Sequence, residues 1–147
     1  MISALNSKDT VLVSPTAMTN TQTVTANLDC KGADFATIRL ALAARLNTNA
    51  VAPTISLKES DDTVVTNFTT VTADRTESLA NAHELVYHVD VKARKRYLRL
   101  SVTTATATND NVTFSAIATL SRLERALAST SDMVGSTNDA VVIVTPA

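Results

Sequence analysis

Two histidines, one cysteine and fourteen carboxylates are the side chains with which this 147-residue chain could do catalytic or metal chemistry. Their spacing argues against it. His83 and His88 stand five apart in a run of alternating character, which sends them to opposite faces of a strand. With no Cys or His partner at ligand spacing, they read as structural or surface residues rather than metal ligands. Cys30 alternates with Ala26 and Leu28, and reads either as a small buried apolar side chain or as a reactive thiol; the first is favoured, because free cysteine is commonly buried. Glu59, Asp61 and Asp62 cluster at a strand end, where they form a hard-cation site or a solvated turn. A cation site needs several oxygens on a shaped loop, so the turn is preferred. The chain shows no glycine-rich phosphate loop and no nucleophile elbow. No catalytic residue, metal or cofactor is assigned, and the chain is not expected to be an enzyme.

The strongest local charge is Lys92-Ala93-Arg94-Lys95-Arg96, with Arg99 close by. Two chemistries suit it: a phosphate-binding patch, or a contact with an acidic protein surface. Nucleic-acid surfaces add stacking aromatics or a broad basic field. Here Tyr97 is the one aromatic nearby, and the whole chain carries a formal charge of −1. Lys92, Arg94, Lys95 and Arg96 are therefore expected to meet a protein partner, with no direct nucleic acid. Reversing Arg94, Lys95 and Arg96 to Glu is expected to weaken that association and leave melting nearly unchanged.

The elements that would position this run are strands. From Glu84 to Thr104 the sequence reads as two alternating runs joined by the basic turn as a hairpin. Leu85, Tyr87, Val89 and Val91 share one face of the first run, and Leu98, Leu100 and Val102 one face of the second. Further strands are predicted at Asp9–Ser14 (stopped by Pro15), Thr21–Cys30, Thr54–Ser60 and Val112–Leu120. Val64–Val71 suits an edge strand, and 72–83 a long loop or a single helical turn near Glu77–Ala82. The run 33–46 fits a helix by composition and a strand by alternation, with Ile38, Leu40, Leu42 and Ala44 inward; strand is preferred because its surroundings are all β. Only two glycines occur, so Asn and Asp must take most turns.

Aromatics make up 3% of the chain and Trp is absent, so the core must be aliphatic. The length suits one domain that needs no disulfide or metal. Residues 1–8 read as an N-terminal extended segment, 9–127 as a β-sandwich domain, and 128–147 as a C-terminal linker and arm. SRLERALAS at 121–129 has helical composition. The arm ends in Val141, Val142, Ile143 and Val144, an apolar β-former that either folds back as a strand or pairs with a neighbouring subunit. No run approaches the ~20 apolar residues of a membrane helix and no signal peptide opens the chain, so synthesis in the cytoplasm and no membrane partner are expected. Seven or eight evenly spaced strands predict an all-β, antiparallel β-sandwich of jelly-roll type with extended N- and C-terminal arms.

Three stretches together resemble the capsid decoration, or cement, proteins of tailed phages: DCKGADFATIRLALAARL (29–46), SLKESDDTVVTNF (56–68) and VKARKRYLRLSVTTAT (91–106). The chain differs in lacking a glycine after the Asp pair and a Trp in the following strand. The resemblance implies a jelly-roll or related sandwich on the outside of a bacteriophage head. It also implies a homodimer or homotrimer that clamps adjacent subunits of the major capsid protein. A neck or tail-completion protein, or a head-fibre or receptor-binding module, is the alternative.

Overall fold

The computed structural model describes residues 7–19, 21–45, 52–104, 112–122 and 140–144. These form ten strands and one 3-10 turn, with no α-helix among them. The strands are β1 (Ser7–Met18), β2 (Thr23–Asp29), β3 (Phe35–Leu42), β4 (Thr54–Ser60), β5 (Thr69–Thr70), β6 (Arg75–Thr76), β7 (His83–Asp90), β8 (Tyr97–Thr103), β9 (Val112–Ser121) and β10 (Ala140–Val144). One sheet has the order β1-β9-β3-β7-β10. The other has the order β2-β8-β4-β5, with β6 also on β4. All pairs are antiparallel except β7 with β10.

The two sheets form a β-sandwich whose inner faces follow the alternation of the sequence. Ala36, Ile38, Leu40 and Leu42 of β3 point in, opposite Ile55 and Leu57 of β4 and Leu98, Leu100 and Val102 of β8. Thr37, Arg39 and Ala41 face outward, so β3 is a strand as preferred; it ends at Leu42, and Ala44 is exposed. The inward set of β9 is Val112, Phe114, Ala116 and Ala118. Each large aliphatic side chain fully removed from water contributes about 1.5–3 kcal/mol, so this aliphatic layer is the main source of stability.

Three expectations are corrected. First, β7 and β8 are not a hairpin. They lie in different sheets, and residues 91–96 cross from one to the other at the end of the sandwich. Alternation alone reports which face of a strand is buried, not which strand is its neighbour. Second, Pro15 does not stop β1. The β1–β9 register slips between Val11 and Val13 and again between Val13 and Thr16, so Pro15 falls in a bulge on an edge strand, where its missing N–H costs no ladder bond. Third, 64–71 gives only the turn Val65–Asn67 and the two-residue β5. Of the two readings of 72–83, the long loop is the one observed over 72–82, interrupted by the two-residue β6. Within it Leu79 plugs the core at 3% exposure, and its carbonyl accepts the Arg45 N–H at 2.8 Å.

Asp does take turn positions. Asp29 Oδ1 accepts the Lys31 N–H, Asp62 Oδ1 that of Val64, and Asp90 Oδ1 that of Lys92. Gly32, with φ of 78°, supplies the left-handed residue between β2 and β3. The N-terminal residues 1–6, the turn at Asn109–Asn111, the helical composition of 123–129 and the linker to Asp139 lie outside the described residues.

Candidate functional site

One end of the sandwich gathers most of the residues singled out in the sequence. There β2 turns into β3, β7 crosses to β8, and β9 finishes at Ser121. Val144, the last residue of β10, stands opposite Val89, two residues before the crossing begins. The basic run and the end of the C-terminal strand, far apart in sequence, thus meet at one end.

The crossing lines a cleft of about 490 Å³ with Lys92, Arg94, Lys95 and Arg96, completed by Lys31 and by the acidic Asp34 and Asp61. Its cations are used in different ways. Arg96 is clamped to Asp29 by two hydrogen bonds, Nε to Oδ1 at 2.9 Å and Nη2 to Oδ2 at 2.6 Å. The guanidinium holds the Asp29 carboxyl down at about 2. Arg94 folds inward until its side chain is 8% exposed, with Nη1 3.5 Å from Glu59 Oε2. Lys92 lies over the Phe35 ring, 5.5 Å from its centroid. Lys31, Lys92 and Lys95 therefore set the sign of the open surface. The cleft sets these three lysines against Asp34 and Asp61, a local excess of cations on a chain of formal charge −1.

Cys30 sits in the floor of the same cleft, yet burial pushes its thiol up to about 12, so it is no nucleophile at neutral pH. The acidic triplet does not converge. Glu59 turns to Arg94 and to the Lys95 N–H, whereas Asp62 accepts from the Val64 N–H and from Asn67 Nδ2, contacts that lower its pKa. The turn reading holds. Among the described residues no group of three metal-ligating side chains comes together.

The histidines separate as their spacing required. His83 places Nδ1 3.1 Å from the Asn81 carbonyl and Nε2 3.4 Å from Glu77. His88, on the outer face, shares a 3.0 Å hydrogen bond with Thr37.

The β10 register sets Val141 opposite Val86, Val142 opposite Tyr87, Ile143 opposite His88 and Val144 opposite Val89. Val144 joins the core at 6% exposure. Of the two fates open to the arm, folding back onto its own sheet is the one observed.

Two features had no signal in the sequence. Arg99, placed outward by alternation, is 8% exposed, because Phe68 stacks 3.7 Å from its guanidinium and Asn27 Oδ1 accepts from its Nε. Val11 and Ile117 face each other across β1 and β9, exposed at 62% and 47%. They lie on the outer face of the first sheet, where the ion pair of Arg39 with Glu84 and the bond from Thr119 to Asp9 flank them. Among the described residues no helix is long and apolar enough to cross a membrane. No protein-family model matches the chain, and no characterised protein matches it in sequence.

Proposed function

We propose that this chain is a structural part of a virion: a decoration protein that binds the outside of a phage head and ties neighbouring major capsid subunits together. The strand order is the observation that carries this reading. Eight antiparallel strands lie as β1-β9-β3-β7 facing β2-β8-β4-β5, and the chain passes repeatedly between the layers. That order supports a jelly roll, an architecture recurrent in capsid proteins and lectins. Fold alone does not choose between those uses. The polarised end supports the capsid reading: Lys31, Lys92 and Lys95 favour an acidic protein neighbour, while the aromatic next to the basic run, Tyr97, is covered by Arg96 at 4.8 Å and offers no open platform for a sugar.

The mechanism is binding. Each copy adds buried area across a joint between capsid subunits, and many copies convert a modest contact into a large gain in shell stability. The test is stoichiometry. Quantitative mass spectrometry of purified particles is expected to find this chain in numbers comparable to the major capsid protein. A handful of copies per particle would instead assign it to the neck or tail, and its absence from particles would end the proposal.

A further inference from the structure

We propose that β10 is an exchangeable strand, passed between copies of this chain so that the β10 of one copy completes the first sheet of another. The inference rests on the direction of the strands. β3 is antiparallel to both β9 and β7, and β10 is parallel to β7, so β9, β7 and β10 all run the same way. The chain leaves β9 at Ser121, which is level with Asp90 through their shared partner Phe35. It enters β10 at Ala140, level with Leu85 at the other end of β7. To close on itself it must travel back about 17 Å along the strands and about 14 Å across them. The 17 residues 123–139 reach roughly 55–60 Å when extended, so they suffice for that return and equally for a crossing to another copy.

A second copy whose β7 begins beside the Ser121 end of the first receives β10 without the return path. The ladder from Leu85 to Val89 is the same in both forms, and Val144 takes the same place in the core. Closed and exchanged forms therefore differ only in the connection and in local concentration, which is what makes exchange of a terminal element a low-cost route to a dimer. The segment itself, AVVIV, carries no charge or proline that would keep it from pairing with a foreign sheet edge. The bulged β1 at the other edge of this sheet is protected in just that respect.

The experiment uses the purified full chain, so it is decided independently of any role on a capsid. Glu84→Cys and Ala140→Cys are made singly and together, each with Cys30→Ala, and the two single variants carry tags of different mass. They are mixed at high concentration and treated with a short bifunctional maleimide. A cross-linked species with the summed mass of the two single variants is expected, together with interchain products from the double variant. If the mixture gives no such species while the double variant closes within one chain, β10 stays at home and the proposal is wrong. Native mass spectrometry of the unaltered chain guards against a variant that misfolds. A dimer that disappears when the chain is ended at Asp139 supports exchange, and a monomer in both cases overturns it.

Discussion

Arg96 and Asp29 meet side by side, two hydrogen bonds joining the planar guanidinium to the carboxylate across the ends of β2 and β8. Backbone pairing brings them there, since Asp29 is the register partner of Tyr97. Arg96, one of the four residues of the basic run expected to meet a partner, is thus already engaged within the chain.

This pair predicts a specific acid titration. Asp29 is held at about 2, below its ordinary 3.8, chiefly by the hydrogen bond from Arg96, with the Lys31 N–H adding to it and burial opposing. A depressed carboxyl contributes stability that is complete above 3.8 and is lost as pH falls towards 2. Both side chains are 43% exposed, so water screens the pair and its contribution to stability is small. In Arg96→Gln the Asp29 carboxyl is expected to titrate back towards 3.8, read by carbon NMR of the carboxyl groups. A value unmoved near 2 would assign the shift to the turn backbone instead.

Arg94 behaves differently from its neighbours in the basic run. Its side chain is 8% exposed and Glu59, its partner, 14%. Arg94→Glu would set two carboxylates together in a nearly dry site, and a loss of about 2–3 kcal/mol is expected, measured by chemical denaturation. Lys95→Glu should stay within about 0.5 kcal/mol of the parent, because it changes surface charge alone, and Lys92→Glu within about 1 kcal/mol, because it also gives up the contact with the Phe35 ring. The expectation that reversing Arg94, Lys95 and Arg96 together would spare the fold therefore applies to Lys95. Equal stability of all three single reversals would show that the inward fold of Arg94 carries no energy.

What could be read in advance was the period-two burial. The inward faces of β3, β7, β8 and β9 follow from alternation, because a strand with one face on a core has no freedom to shift by a residue. Pairing could not be read. Leu85, Tyr87 and Val89 and then Leu98, Leu100 and Val102 look alike whether their strands adjoin in one sheet or face each other across a sandwich. The difference lies in the six-residue connection, which is too charged to show a turn type. The site divided along the same line. The charge of Lys92 to Arg96 was visible, but its neutralisation depends on Asp29 and Glu59, which arrive from other strands. Arg99 was lost for the same reason, since nothing near it in sequence announces Phe68 or Asn27.

His88 gives the fold a second pH dependence. Burial lowers its pKa, and the nearby Arg39 charge adds to that. A histidine kept neutral in the folded state contributes stability that is full above 6.5 and lost as pH falls from 6.5 through the lower folded value. His88→Gln preserves a polar group opposite Thr37 and removes the titration. The slope of unfolding free energy against pH just below 6.5 is expected to become shallower in that variant, measured by urea denaturation across that range. An unchanged slope would place the titrating group elsewhere.

Tyr87 holds the largest side chain of the core, and its hydroxyl is buried with no hydrogen-bond partner among the described residues. Burial pushes its phenol well above the ordinary tyrosine range, with Glu77 and Asp74 adding to the rise and Arg75 opposing it. An unsatisfied buried hydroxyl costs about 1–3 kcal/mol, a cost the phenylalanine ring does not carry. Tyr87→Phe keeps the ring against Leu85, Val89 and their neighbours and removes only the oxygen. The variant is expected to be more stable than the parent by about 1 kcal/mol, read as a higher urea midpoint at unchanged slope. A clear loss of stability would mean instead that the hydroxyl has a partner in solution.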